Sequence, residues 1–271
     1  MITISDKEFT MLTEYLKKYY GINLSKKRTL VEGRMNNYLI KNGYADYSSY
    51  FDKLFSDKSG AEMSQVINFL TTNYSYFMRE WDHFNFFKNQ VLPELKNANK
   101  EHDLRLWSAG CSTGEEPYTI AMIVNDFFDK QKTFWDTKVL ATDISMKALN
   151  KAVTGCYDDE ALEKVPAFWK THYFEKNQNS EWEVKKQLKE EVIFRKFNLM
   201  DEVFPFKKKF HVIFCRNVMI YFDAKTKKEL IDKFYDHLEN GGYLFIGQSE
   251  SIDRKETQFK YILPSIFKKV V

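Results

Sequence analysis

An apolar run from Leu104 to Ala109 breaks at Gly110-Cys111-Ser112-Thr113-Gly114-Glu115-Glu116, and a helical stretch opened by Pro117 follows. A strand that passes the chain to a helix through a glycine turn constrains the fold more than anything else here. It is the repeating unit of a parallel, doubly wound sheet. The helix is expected from about Pro117 to Asp129, since proline suits a first turn, where its missing N–H costs nothing. The alternation then recurs. Lys138 to Asp143 reads as a second strand with a helix from Ser145, and Val192 to Phe194 and Phe210 to Cys215 as further strands. Thr226 and Glu229 form a capping-box pattern. The helix they open should run to Asn240-Gly241-Gly242, with Tyr243 to Ile246 as the next strand. One polar stretch, about 165–190, departs from this rhythm. Its alternating Glu181-Trp182-Glu183-Val184-Lys185 predicts a small antiparallel excursion from the main sheet.

Residues 1–70 read differently, as helix throughout. Ser5 and Glu8 make a capping box, Phe9, Leu12, Leu16 and Tyr19 recur at helical spacing, and Gly21 is a natural stop. Further helices are expected from after Ser25 to near Asn42-Gly43, over Tyr47 to Phe55, and over Ala61 to Leu70. The chain of 271 residues is thus read as an all-α part, 1–72, and an α/β part, 73–271. Its net charge of +3 is too small to imply nucleic acid. Cys111, Cys156 and Cys215 are odd in number and widely spaced, which argues against a disulfide framework or a zinc site and for a reducing, cytoplasmic setting. No metal is expected. No apolar run approaches the roughly 18–20 residues that cross a bilayer, and Met1-Ile2-Thr3-Ile4-Ser5-Asp6 lacks the features of a signal peptide.

In an open α/β sheet, ligands bind at the carboxyl ends of the strands. Glu115 and Glu116 in the first glycine turn would repel a pyrophosphate. They suit a ligand with positive charge or hydroxyls, and S-adenosylmethionine carries an amino group, a sulfonium and a ribose diol. Asp143, ending the second strand, stands where a ribose diol would be gripped. The same turn also spells G-x-S-x-G, the nucleophile elbow of α/β hydrolases, with Ser112 as nucleophile. The histidines available to complete such a triad, His172, His211 and His237, fall in the polar excursion, at the start of a strand and near a helix end. None falls in the loop that usually presents the base.

Four segments carry a resemblance. They are Thr71 to Glu80 (TTNYSYFMRE), Trp107 to Tyr118 (WSAGCSTGEEPY), Ala141-Thr142-Asp143-Ile144, and Phe214 to Phe222 (FCRNVMIYF). In this order and spacing they resemble the chemotaxis receptor glutamate methyltransferases, the CheR family, over nearly the whole chain. The resemblance implies an α/β, Rossmann-like class I methyltransferase domain with a small antiparallel β-subdomain, preceded by an all-α N-terminal domain that docks on the receptor. It implies S-adenosylmethionine as donor, S-adenosylhomocysteine as product, and the cytoplasmic domain of chemoreceptors as partner, with neither nucleic acid nor membrane insertion. Cofactor contacts carried over are Asn73, Ser75, Arg79, Gly110, Asp143, the pair Asn198 and Leu199, and the pair Arg216 and Asn217. A glutamate of the first turn joins them, with Glu115 favoured over Glu116. Arg79 and Tyr221 are the expected catalytic residues, Tyr221 matching a family tyrosine near the reacting methyl.

Two departures from the family pattern stand out. Ser75 replaces a frequent threonine and keeps the hydroxyl, and Gln248 stands where many relatives carry histidine. The segment Tyr173 to Trp182 also lacks the extra glycines of members that grip a receptor's C-terminal pentapeptide, so tethering by that route is not expected. Arg216 follows a strand that should be buried, where a charge needs a partner or a ligand. Its positive charge would suit a carboxylate substrate. Lys27, Arg34 and Lys41 recur every seven residues and predict one basic helical stripe.

Overall fold

The computed structural model describes residues 2–72 and 74–270. Four helices form the N-terminal layer: α1 (Asp6–Tyr20), α2 (Arg28–Lys41), α3 (Tyr47–Ser56) and α4 (Ala61–Leu70). The capping box of α1 is present as read. The Ser5 side chain accepts the Glu8 amide, and Gly21 ends the helix at φ 72°, in the left-handed region. Leu12, Leu16, Val31, Met35, Tyr47, Tyr50, Val66 and Leu70 interlock into a core of their own. No strand occurs among the described residues of this layer.

The chain continues through α5 (Trp81–Phe86), a single π turn, and α6 (Leu92–Ala98) into β1 (Leu106–Ala109) and α7 (Glu115–Phe128). Then come β2 (Val139–Asp143), α8 (Met146–Thr154), β3 (Cys156–Tyr157), α9 (Ala167–Tyr173), β4 (Phe174–Lys176), β5 (Trp182–Val184), α10 (Lys186–Lys189) and β6 (Val192–Lys196). The C-terminal part holds β7 (Phe210–Cys215), α11 (Ala224–His237), β8 (Leu238–Ile246), β9 (Lys260–Leu263) and β10 (Ile266–Lys268).

Seven strands make one sheet in the order β6-β2-β1-β7-β8-β10-β9. The first five run parallel, and β10 is antiparallel to both its neighbours, so the sheet is mixed and not wholly parallel. Alternate residues of each central strand feed opposite cores. Val212 and Phe214 of β7, with Tyr243 and Phe245 of β8, pack on one face. Ile213, Cys215, Leu244 and Ile246 pack on the other, with Leu230 and Phe234 of α11. Burial on both faces explains why these strands read as continuous apolar runs.

Several sequence expectations shift. The helix before β8 is capped by Asp223, whose side chain accepts the Thr226 amide, so Thr226 lies inside the helix and is not its cap. Asn240-Gly241-Gly242 falls within β8 and not after a helix. The β-subdomain is the sheet β3-β5-β4, and its first strand begins at Cys156, earlier than residue 165. There Lys170 and Lys176 lie 4.4 and 4.5 Å from the ring centre of Trp182. No described helix is long and apolar enough to cross a membrane.

The helical layer is stitched to the sheet domain at defined points. Asn23 donates its amide to the Tyr221 carbonyl (2.9 Å), and Lys17 pairs with Asp223 (2.8 Å). A side chain at Gly21 would meet Met200 Sδ at 2.7 Å and Phe222 at 3.0 Å, so the α1 stop also has to be a glycine for the two layers to close.

Candidate active site

A cleft opens at the carboxyl ends of β1, β2 and β7. Its far wall is the helical layer, through Tyr20, Ile22, Ile67, Thr71 and Thr72. The sheet supplies the near wall through its first glycine turn. Gly110 sits at φ 92°, with its amide and that of Cys111 donating to the Thr142 carbonyl at 2.8 and 2.9 Å. A Cβ at Gly110 would stand 2.3 Å from Val218 Cγ2, so both the conformation and the space demand glycine. The turn delivers Ser112, whose amide donates to Asp143 Oδ2 (2.8 Å). The Ser145 amide takes Asp143 Oδ1 at the same distance. Burial raises the Asp143 pKa, and these amides pull against that rise. The strand-end carboxylate is thus oriented by the backbone, with lone pairs left for hydroxyl donors.

Ser75, Arg79, Gly110, Asp143, Asn198, Leu199, Arg216, Asn217 and Tyr221 all line the cleft. Asn73 lies outside the described residues. Glu115 does not line the cleft. Its carboxylate accepts the Thr113 hydroxyl at 2.7 Å, buried at the start of α7. Glu116 occupies the place expected of Glu115. Neighbouring helical residues point about 100° apart, so the phase set by the Gly114 cap decides which glutamate faces inward.

Arg216 also differs from expectation. Its side chain is 1% exposed and forms an ion triad, with Nη1 at 2.9 Å from Glu116 Oε2 and Nη2 at 3.0 Å from Glu80 Oε2. Nη2 donates to the Arg79 carbonyl as well, at 2.5 Å. The charge read as suiting a carboxylate substrate is therefore committed to two resident carboxylates. Burial alone would raise Glu80. The Arg216 charge, with hydrogen bonds from Arg216, Asn217 and the Gln248 amide, outweighs it and holds that carboxyl below its ordinary value. Glu116 goes the other way, because burial dominates despite Arg216 and the Ser108 hydroxyl at 2.7 Å.

Arg79 is the cation left for ligands. It makes no ion pair among the described residues, neither with Glu80 nor with Asp82 near it in the chain. Nη1 donates to the Tyr74 carbonyl (3.0 Å), and the guanidinium lies 5.8 Å from the Tyr76 ring centre. Tyr221 Oη accepts the Thr72 amide at 3.0 Å, which leaves its own hydrogen free to donate. Asn198 faces the cleft, yet its side chain acts as a strut. Nδ2 donates to the Tyr19 carbonyl (2.8 Å), and Oδ1 accepts the Met200 amide (3.1 Å). No histidine is among the described residues that line the cleft, and the hydrolase reading of Ser112 has no base there.

Sequence reasoning missed Glu80, and it weighed Glu116 only as the less favoured of the two turn glutamates. An arginine after a buried strand requires anionic partners, and the two acids it uses both lie inside the motif segments, so that signal was available.

Carboxylates at a strand end and at a glycine turn, a cleft guanidinium without an ion pair among the described residues, and a mixed sheet of this order are what an S-adenosylmethionine-dependent methyltransferase of the Rossmann-like class would need. The family model described as CheR methyltransferase, SAM binding domain, matches residues 73–266, and the model for the CheR methyltransferase all-alpha domain matches residues 7–71. The chain belongs to the CheR methyltransferase family. It is 42% identical over 272 aligned residues to a chemotaxis protein methyltransferase of Borreliella burgdorferi, covering 99% of this chain and 96% of that one. It is 34% identical to the chemotaxis protein methyltransferase of Escherichia coli, over 95% of this chain and 88% of that one. The solved glycopeptide N-methyltransferase MtfA with S-adenosylmethionine overlaps 59% of this chain and 52% of its own, at 13% identity and a TM-score of 0.32.

Proposed function

We propose that this enzyme transfers the methyl group of S-adenosylmethionine to glutamate side chains in the cytoplasmic domain of chemoreceptors, forming glutamyl methyl esters for adaptation. The observation that carries the reading is the division of charge in the cleft. Acids line the space for a cationic donor, and Arg79 is the cation that resident carboxylates leave unpaired. Incubation with methyl-labelled S-adenosylmethionine and a purified receptor cytoplasmic fragment should place base-labile label on the receptor. Label that survives mild base, or none, would overturn the assignment.

When bound, S-adenosylmethionine supplies an electrophilic methyl on a sulfonium. Asp143 would hold its ribose hydroxyls, with Ser75, Gly110, Leu199 and Asn217 as further walls and Glu116 at the glycine turn. A glutamate carboxylate, with an ordinary pKa near 4.3, is already ionised at neutral pH and needs no general base. The task left to the protein is to strip water from that carboxylate and aim it. Arg79 offers a planar fork of donors for a carboxylate, and Tyr221 offers one hydroxyl hydrogen.

Asp143 gives a direct test of the cofactor site. S-adenosylhomocysteine at about a hundred times its Kd should stabilise the chain by ~2.7 kcal/mol, because it binds only the folded state. Asp143→Ala should lose most of that gain in a thermal-shift measurement. An unchanged shift would remove Asp143 from the cofactor site.

The helical layer is the proposed receptor-docking surface. Lys27, Arg34 and Lys41 are exposed along α2, and Arg34 also donates to the Phe69 carbonyl and the Thr72 hydroxyl at 3.2 Å. Such a stripe would meet an acidic receptor surface and speed association in a salt-dependent way. Reversing all three charges should slow receptor methylation several-fold at low salt and leave S-adenosylhomocysteine affinity intact. Equal methylation rates would exclude this surface.

A further inference from the structure

We propose that Glu250 is a positioning residue for methyl transfer, its carboxylate fixing the turn that presents Tyr221 to the cleft. The proposal rests on the reading of Tyr221 as a donor near the reacting groups.

Glu250 follows β8 and does not line the cleft, and it is 7% exposed. Among the described residues it has no ion-pair partner. Backbone amides take the place of one, those of Gly247, Asn217 and Ile220 with Met219 beside them. Oε2 accepts from Gly247 at 2.7 Å and from Asn217 at 3.0 Å, and Oε1 accepts from Ile220 at 3.2 Å. A carboxylate only accepts, so a nest of N–H donors is its natural partner. The Gly247 bond is local, closing the turn in which the Glu250 amide donates to the Gly247 carbonyl (2.9 Å). A carboxylate that merely capped this turn would need nothing more. The other two bonds reach across to the loop after β7.

That loop needs outside support. Asn217 stands at φ 60°, a left-handed turn that asparagine tolerates, so the chain bends here outside any regular element. A single 3-10 turn, Met219–Tyr221, follows directly. The internal bond from the Tyr221 amide to the Val218 carbonyl is long, at 3.4 Å. Glu250 grips both ends of this stretch, Asn217 where the chain turns and Ile220 just before Tyr221. The space it uses is kept open by Gly247, where a Cβ would meet the Asn217 amide at 2.8 Å and Glu250 Oε2 at 3.0 Å.

Glu250→Gln separates the two grips. The single carbonyl oxygen of glutamine best replaces Oε2 and keeps the Gly247 and Asn217 amides. Its NH₂ then faces the Ile220 N–H, donor against donor, so the hold beside Tyr221 is the one released. In full-length protein we expect Glu250→Gln to bind S-adenosylhomocysteine within about twofold of the wild type, while Ile220 amide exchange accelerates about tenfold or more. Turnover on a purified receptor cytoplasmic fragment should fall about tenfold or more, as it should in Tyr221→Phe. Because the two residues act as one unit, the double variant should turn over within about twofold of the slower single variant.

Full turnover in Glu250→Gln, losses that multiply in the double variant, or collapse of S-adenosylhomocysteine binding would each overturn the proposal. Full turnover in Tyr221→Phe would overturn it by a different route, by removing the reading of Tyr221 on which it rests. Should Glu250→Gln not fold, the wild-type chain still decides, since an Ile220 amide exchanging at the open-chain rate would show that Glu250 does not hold that turn.

Discussion

Replacing Arg216 by methionine is expected to cost about 3–5 kcal/mol of stability, the penalty for breaking a buried ion pair from one side. Methionine fills much of the same volume but leaves Glu80 and Glu116 facing each other without a cation. Both side chains are largely buried, at 12% and 14% exposure, so water cannot repay the lost partner. For an α/β domain of this size the loss corresponds to a fall in Tm of about 10 °C. Converting Glu80 and Glu116 to glutamine in the same chain should recover a good part of it, because the uncompensated charge is then gone. Thermal melts of the single and triple variants make the comparison. A single variant that melts within a degree or two of the wild type would mean that the triad is not held as a buried charge network. Arg216 also anchors the Arg79 carbonyl, so the single variant should lose activity beyond its loss of folded protein.

Acid should begin to weaken this protein above the pH at which its surface carboxylates titrate. His83 is 3% exposed, packs against Phe245 and has its pKa pushed down to about 4 by burial and then by the Arg216 charge. His211, whose Nδ1 accepts the Arg105 amide at 3.0 Å, is also lowered to about 4, mainly by burial. For a histidine with a depressed folded pKa, the unfolded chain takes up the proton first. The stability is fully present above the ordinary pKa near 6.5 and is lost as pH falls towards 4. For His83 that window is worth on the order of a few kcal/mol at 1.36 kcal/mol per pKa unit, less what the Glu80 carboxylate 3.4 Å from Nδ1 returns on protonation. His211, only partly buried, adds less. Burial raises Asp143, Glu116 and Glu250, which therefore bind protons more readily folded than unfolded, and this blunts the loss in the acid half of the window. Urea midpoints measured from pH 7 down to pH 4.5 should decline steadily, and His83→Phe should flatten the decline. A profile that is flat in the wild type and unchanged in His83→Phe would show that this imidazole takes up its proton as readily folded as unfolded.

Which parts of the chain were legible follows from how local their causes are. The α1 capping box needs only Ser5 and Glu8, and β7 only its own apolar run; both lie where the sequence puts them. The α11 cap was misread because Asp223 and Thr226 satisfy the same local chemistry, and only the fold decides which of them precedes the first turn. Strands β9 and β10, four and three residues long, carry too few positions for a period to show. In the site, residues placed by a strand end or a glycine turn, such as Asp143 and Gly110, could be read from spacing. Glu80 and Glu250 could not be assigned that way, nor could Glu116 be chosen over Glu115, because their roles depend on which distant backbone amide or guanidinium the fold brings to them.

The cleft wall contributed by Ile22, Ile67, Thr71 and Thr72 means that the ligand space belongs to neither layer alone. Thermodynamic reciprocity then applies. Anything that eases the helical layer away from Tyr221 and Asn198 weakens ligand binding, and by the same factor a bound ligand resists that separation. A large partner docked on the helices would act on the same space the small molecule fills, through the Asn23 and Thr72 amides that both donate to Tyr221. The layer boundary is in this sense a mechanical coupling, and the force needed to part the layers is a quantity that force spectroscopy could compare with and without S-adenosylhomocysteine.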